Sequence, residues 1–313
     1  MEDKHYHEGE LAMQMHANAS DLANRAARAI ADHIPERAIP FIEQQVMMII
    51  GSMDSEGRVW TTVLFGQPGF IRAVDVQRLE LNLALAGTSA EDPLWLHLAA
   101  NKNIGLLFIE LASRRRLRVN GYINKLATHC YQIEVKQAYP NCPKYIQRRS
   151  LKNSNDLKCR PNSPVKTGTR LNTYQVAIIA KSDTFFVASA HPEYGIDASH
   201  RGGQPGFVQV LNSMLLRIPD YTGNNMFNTL GNFKSYPYAG LTFMDFEANC
   251  LLQLSGEAEI LWPLDDPKQQ TGGTQRFWQF RITAWRESRI PFDYDWEFLD
   301  YSSFNPQPIG TQV

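Results

Sequence analysis

The sequence predicts a mainly β protein with minor α content: two small antiparallel barrels in tandem, preceded by a helical arm. Two observations carry this. The first is an internal repeat. Gly66-Gln67-Pro68-Gly69-Phe70 recurs as Gly203-Gln204-Pro205-Gly206-Phe207, and its neighbours recur in the same order. Ile104-Gly105-Leu106-Leu107-Phe108 is answered by Ala239-Gly240-Leu241-Thr242-Phe243, Asn120-Gly121 by Ser255-Gly256, and Tyr131-Gln132-Ile133-Glu134-Val135 by Trp278-Gln279-Phe280-Arg281-Ile282. Counterparts lie roughly 135–147 residues apart, far beyond the ~20–50-residue period of a solenoid, so the unit is a duplicated domain. The second observation is a hydrophobic period of two in short segments divided by tight turns, the mark of half-buried strands. Short antiparallel strands with one brief helix per unit favour barrels, because closure removes exposed sheet edges.

Along the chain, Leu22, Ala23, Ala26, Ala27, Ile30 and Ala31 recur at three-to-four spacing and predict a helix over 17–33, stopped by Pro35 and Pro40. From Phe41 the period becomes two. Residues 45–50 form an apolar run of strand length, Asp54-Ser55-Glu56-Gly57 is a turn, and 58–65 returns as a second strand. Leu79-Glu80-Leu81-Asn82-Leu83 alternates, and Asp92-Pro93 supplies an N-cap and first-turn proline for a short helix to Ala100. Segments 104–109, 116–125 and 128–138 read as further strands. In the last, Tyr131, Ile133 and Val135 face one way and Gln132, Glu134 and Lys136 the other, so one sheet face is wet. The second copy runs the same course from Tyr174 to Arg289.

The chain thus divides into a helical arm (1–38), a first barrel (39–140), a basic linker (141–172), a second barrel (173–290) and an acidic, aromatic tail (291–313). Six strands are expected in each barrel. The linker holds eight Lys/Arg against one acidic residue and is broken by Pro143, Pro161 and Pro164. That composition suits a surface crossing, or a strip that docks an anionic ligand or partner. Phe292, Tyr294, Trp296 and Phe298 favour a tail that packs as a strap.

A formal net charge of −1 leaves no global field for nucleic acid or an anionic membrane. No apolar run approaches the ~20 residues of a membrane helix, and the charged first ten residues lack a signal-peptide core, so a cytoplasmic protein is expected. Cys130, Cys142, Cys159 and Cys250 show no C-x-x-C pairing and read as free thiols, with no zinc or other metal site indicated. His5, His7 and Glu10 have loose ligand spacing that a disordered end or polar helix start explains better. Cys142 beside Lys144 offers a reactive thiol or, more plainly, a half-buried cysteine in a turn. There is no hydrolase-type nucleophile–base pairing and no Gly-x-x-x-x-Gly-Lys loop.

The copies differ where chemistry would sit. The second carries Asp197-Ala198-Ser199-His200-Arg201-Gly202-Gly203 where the first has Trp60-Thr61-Thr62-Val63-Leu64-Phe65-Gly66. Ionisable groups in a half-buried strand are costly unless paired or liganded. Period two puts Asp197, Ser199 and Arg201 on one face, where an anion would meet a hydroxyl and a guanidinium together. Some twenty residues on, Pro219-Asp220-Tyr221-Thr222-Gly223-Asn224-Asn225 leads into a helix through Thr229. Gly223 and Asn224 there are suited to unusual backbone angles, and the free N–H groups of a helix start attract anions.

On these motifs the second copy resembles the pyridoxamine 5'-phosphate oxidase-like family of FMN-binding split barrels. The pattern Asp-x-Ser-x-Arg-Gly is read at Asp197 to Gly202, Pro-Gly-Phe-Val at Pro205 to Val208, and Pro-Asp-x-x-Gly-Asn at Pro219 to Asn224. The first copy keeps the closing Leu117-Arg118-Val119-Asn120-Gly121 but has lost the first motif. The resemblance implies two associated split barrels, a pseudo-dimer within one chain that leaves a homodimer open, with FMN at their interface. It implies phosphate on Ser199 and Arg201, with Asn224 and Asn225 donating at the helix entry. Asp197 and His200 would lie near the ribityl chain or ring, with His200 the candidate catalytic group. Tyr221, Gly223 and Thr229 complete the implied cofactor set, and Arg201 is expected to be its main anchor. Asn225-Met226 stands where relatives often carry basic residues, which weakens the phosphate assignment. Arg114, Arg115, Arg116 and Arg118 would reach the site from the first barrel or serve as a charged strand edge. The implied function is an FMN-dependent oxidoreductase, oxidase or reductase, on a small organic molecule, with NAD(P)H or oxygen as redox partner. The alternative is a non-catalytic carrier or sensor of flavin or haem, and a barrel that has lost its ligand is a third reading.

Overall fold

A computed structural model describes residues 5–88, 92–152 and 164–307. Two helices form the arm, α1 (Glu8–His16) and α2 (Ser20–Ala27), so the single helix expected over 17–33 is shorter and has a partner before it. The first barrel contains α3 (Ile39–Glu43), β1 (Met47–Met53), β2 (Val59–Phe65), β3 (Ile71–Asp75), β4 (Arg78–Asn82), α4 (Pro93–Ala100), β5 (Asn103–Glu110), β6 (Arg115–Ala127) and β7 (Cys130–Pro140). Next come β8 (Arg148–Leu151) and β9 (Lys166–Gly168). The second barrel follows: α5 (Thr173–Lys181), β10 (Thr184–His191), β11 (Gly195–Gly202), β12 (Gln209–Asn212), β13 (Leu215–Pro219), α6 (Asn228–Ser235), β14 (Tyr238–Asp245), β15 (Cys250–Leu261) and β16 (Phe277–Arg289). The tail adds β17 (Trp296–Asp300).

The two sheets have the same antiparallel order, β2-β1-β5-β6-β7-β4-β3 and β11-β10-β14-β15-β16-β13-β12, with β9 added to β16. The tandem architecture is therefore observed, with seven strands per copy where six were expected. The extra strand is β3 and its counterpart β12; β3 shows no alternation because the adjacent apolar residues Ala73 and Val74 lie on opposite faces, with Val74 exposed. The duplicated Gly66 to Phe70 motif makes the same turn twice: Phe70 N–H donates to Gln67 O and Phe207 N–H to Gln204 O, with Gly69 and Gly206 at φ +88° and +86°. Each sheet curls round its own core. Leu64 of β2 joins Ile71 and Leu79 in one cluster, although among the described residues no ladder joins β2 to β3. The barrels are split, not closed.

The copies pack face to face about a pseudo-twofold axis. Gly51 lies on it, where an added Cβ would sit 2.8 Å from that of its own counterpart, Ala188. Beside the axis, β5 rests on β11 and β14 on β2. A Cβ at Gly105 would come within 2.6 Å of Ile196 O, and one at Gly240 within 2.5 Å of the Trp60 carbonyl carbon. The strand backbones touch because side chains are missing at these two positions. Met47, Ile49, Val63, Phe65, Leu107, Phe186 and Met244 close a joint apolar core between the barrels.

The linker and tail bind each other. β8 pairs with β17, Arg149 makes a two-pronged bond to Asp183 (2.7 and 3.0 Å), and Phe292 and Tyr294 enter the joint core. The basic stretch is thus partly a structural strap, not only a surface crossing. Cys159 and Pro161 lie outside the described residues.

Because β14 approaches backbone to backbone, Gly240→Val should force the barrels apart and cost about 1–3 kcal/mol, the usual range for overpacking. Urea unfolding measures this, and an unchanged midpoint would show that the interface has slack.

Candidate functional site

A cleft opens where the barrels meet, at the edge of β11, the start of α6 and the first residues of the linker. It encloses about 100 Å³. Ser199, His200 and Arg201 come from β11, Arg116 and Arg118 from β6, Tyr221 to Thr229 from the α6 entry, and Asn141 to Tyr145 from the linker.

Pseudo-symmetry shows what is special here. Arg118 reaches across the interface, donating to Ser199 Oγ at 2.6 Å and Asp197 Oδ2 at 2.9 Å. In the opposite position stands Gln253, which donates to Thr62 Oγ1 at 3.0 Å and Thr61 O at 2.8 Å. One junction is a charged cluster and the other a neutral, filled contact. The helix starts differ likewise. Asp92 caps α4 by accepting from Leu94 N–H at 2.9 Å, whereas α6 begins after Phe227, which gives no side-chain cap. The first residues of α6, Asn228, Thr229 and Leu230, at the positive end of its dipole, line the cleft.

Charge in the cleft is unbalanced. Asp220 is taken by Arg201 (2.5 Å) and Arg276 (2.9 Å), and Asp197 by Arg118. Among the described residues Arg116 has no carboxylate partner; it donates to Cys142 O and, at 3.4 Å, to His200 Nδ1. Burial, then the like charges of Arg118 and Arg201, push Arg116 down to about 9, still protonated near neutrality. Burial, then Arg116 and Arg201, hold His200 well below the usual histidine value, so its ring is neutral. Since His200 Nδ1 accepts from Arg116, its proton sits on Nε2. Among the described residues that atom has no partner, nor have Arg116 Nε, Arg201 Nε and Asn141 Nδ2. All four belong to residues that line the cleft, and a buried unmade bond costs about 1–3 kcal/mol. The cleft therefore suits an acceptor-rich anion such as phosphate.

The expected residues fall into two sets. Ser199, His200, Arg201, Tyr221, Gly223, Asn224, Asn225 and Thr229 line the cleft. Asp197 does not; it lies beneath, holding Arg118. Arg201 is paired with Asp220, whereas Arg116 and Lys144, which also line the cleft, meet no carboxylate among the described residues. The unusual backbone angles occur at Asn225 (φ 63°) and Phe227 (φ 61°), not at Gly223 or Asn224. Of the four arginines on the first barrel, Arg116 and Arg118 reach the cleft. Arg114 bonds Asp300, and Arg115 lies over the Phe41 ring. Tyr145, Asn141 and Arg276 belong to the site but carry no spacing signal, since the linker and the β16 entry come together only in the fold. Cys142 lines the cleft beside Lys144.

The arm presents a second polar group. His7, Glu8 and His191 bring three potential ligand atoms within 4.8 Å of one another. Both imidazoles are committed otherwise: His7 Nδ1 accepts from Gly9 N–H and His191 Nδ1 from Glu193 N–H, leaving each proton on Nε2. Those Nε2–H groups donate to Asn232 Oδ1 and Glu8 Oε1. A metal on Nε2 would set an Nδ1 proton against a backbone N–H, so the group is built to fasten the arm. Glu10 does stand on a polar helix start, where its side chain accepts from His7 N–H at 2.9 Å in a capping box; it is also buried, and burial pushes it up to about 8.

No family model matches the chain and no curated protein matches its sequence. Among solved structures it is similar to an FAD-binding protein from Mesorhizobium loti, at 10% identity over 40% of this chain and 96% of that one, TM-score 0.28. A NimC/NimA family protein from Clostridium acetobutylicum gives 11% identity, coverages of 41% and 95%, and TM-score 0.28. The haem-storage protein HutZ from Vibrio cholerae gives 12%, 44% and 99%, and 0.26. Among the described residues no helix is long and apolar enough to cross a membrane.

The lowered His200 value has a sign. Below the ordinary value of 6.5 the unfolded chain takes up a proton that the folded site refuses, so stability present above that pH is lost as the pH falls. A His200→Gln variant should therefore lose less stability than the parent between pH 7.5 and 5.5. Parallel losses in urea titrations would mean the folded imidazole ionises normally.

Proposed function

We propose that the chain binds a phosphate-bearing flavin, FMN, at the junction of its barrels and acts as an FMN-dependent oxidoreductase on a small organic molecule. The observation that carries this reading is a set of four donors, without acceptors among the described residues and belonging to residues that line one cleft, beside an uncapped helix start. Arg116, Ser199 and the opening N–H groups of α6 would hold the phosphate. Arg118 is kept in place by Asp197, so its charge is fixed before a ligand arrives. When bound, the flavin supplies a ring able to accept and return hydride, with NAD(P)H or oxygen as exchange partner. This chain's own part is binding and orientation, together with one neutral N–H donor at His200 Nε2. A carrier or sensor of flavin or haem is the alternative; steady turnover with NAD(P)H or oxygen separates it from an enzyme.

Flavin content per chain tests the assignment. Charge-assisted bonds are worth roughly 1.5–3 kcal/mol, so Arg116→Ala should weaken FMN about tenfold to a hundredfold. Arg201→Ala should cost less, because Asp220 already engages that guanidinium. Thr62→Ala, at the filled junction, should leave flavin binding unchanged. Flavin kept by Arg116→Ala and lost by Thr62→Ala would put the site at the wrong junction, and a protein colourless after added FMN would refute the flavin itself.

A further inference from the structure

About 100 Å³ holds a phosphate group but falls short of the ~300–1,000 Å³ of a cofactor-sized pocket. The inter-barrel groove does not end there. Beyond a partition lies an inner chamber of about 30 Å³, lined by Asn120, Gln137, Tyr139, Asp197 and Asn228 of the barrels and by His5, His7 and Glu10 of the arm. The partition is a hydrogen bond, Arg118 Nη1 to Asn228 Oδ1, at 3.1 Å. Asn228 faces both spaces and is held from the inner side, where its Nδ2 donates to Glu10 Oε1. The arm thus forms one wall of the inner chamber, leaves only about 30 Å³ of it open, and braces Asn228.

We propose that the N-terminal arm, residues 5–16, is an autoinhibitory plug: it occupies the inner half of the ligand groove and withdraws when a ligand longer than a phosphate group binds. This rests on the anion reading of the outer cleft. The way the arm is attached supports it. Glu8 bonds His191 and Ser235 (3.0 Å each), His7 bonds Asn232 (2.9 Å), and Gln14 bonds Met226 O (3.0 Å). Such bonds are exchanged for water at small net cost. Between residues 5 and 16 only Tyr6 and Met13 are deeply buried apolar side chains. The arm sits close because Gly9 meets Gly231: a Cβ on Gly9 would lie 2.3 Å from Gly231 O, so α1 rests directly on the helix whose first turn faces the outer cleft. Asn228 is the first residue of that helix, so arm and anion act on the same turn.

Glu8 and Gln14 line neither space, and replacing both removes three of the fastenings. In the full chain, Glu8→Ala with Gln14→Ala should raise FMN affinity about tenfold by increasing the open fraction, with inorganic phosphate affinity unchanged within about twofold. Unchanged or weaker FMN binding overturns the plug, as does an equal gain for both probes. Hydrogen exchange on the unaltered protein gives a second test that does not depend on the variant folding. Amides of α1 should lose protection with saturating FMN and keep it with phosphate; protection kept with FMN overturns the plug. Failure of the unaltered protein to bind phosphate, with the FMN gain intact, would overturn the anion reading alone.

Discussion

Everything in this molecule depends on two sheets lying against each other at backbone contact. Gly105 on Ile196 and Gly240 on Trp60 remove the side chains that would hold the barrels apart. Only at that separation can a side chain of one barrel bond to the other barrel's strand, as Arg118 does to Ser199 and Gln253 to Thr62. The joint core of Met47, Ile49, Phe65, Phe186 and Met244 and the strap of Phe292 and Tyr294 hold the contact. A structural glycine and a functional arginine are thus parts of one arrangement.

A duplicated fold has two equivalent junctions, and here they have diverged in opposite directions. One has been neutralised: amide, hydroxyl and carbonyl satisfy one another and the helix start is capped by Asp92. The other has gathered charge, left donors unmet and left its helix uncapped. Strain of this kind persists where something outside the chain relieves it, because unmade buried bonds otherwise only reduce stability. The asymmetry between two halves of one chain is a sharper signal than any single residue, since each half is the other's control.

The cleft is also assembled from segments with no local reason to meet. Tyr145 and Cys142 come from the connection between barrels, Arg276 from the β16 entry, and Asn228 is steadied by Glu10 from the arm. A site with contributions from arm, linker and both barrels couples occupancy to the packing of peripheral segments. Glu10 is neutral near pH 7, with burial pushing it up to about 8, so a carboxyl can rest there without an unpaired charge.

Legible in the linear sequence were the duplication, the strand course and the place where the two copies differ in charge. Those properties are local: period two, turn glycines and the replacement of Trp60 to Leu64 by Asp197 to Arg201 can be read without knowing what lies opposite. β3 escaped because apolar Val74 points to solvent beside Ala73, so apolar and polar residues do not alternate there as they do in β4. Tertiary structure alone decided which arginine is paired. Arg201 and Arg116 are equal in sequence, and they differ because Asp220 folds back onto Arg201 while no carboxylate among the described residues pairs with Arg116. It likewise set Asp197 against Arg118 and brought the arm beside the groove. Partnership between charges depends on distances across the fold, and a linear pattern holds no information about them.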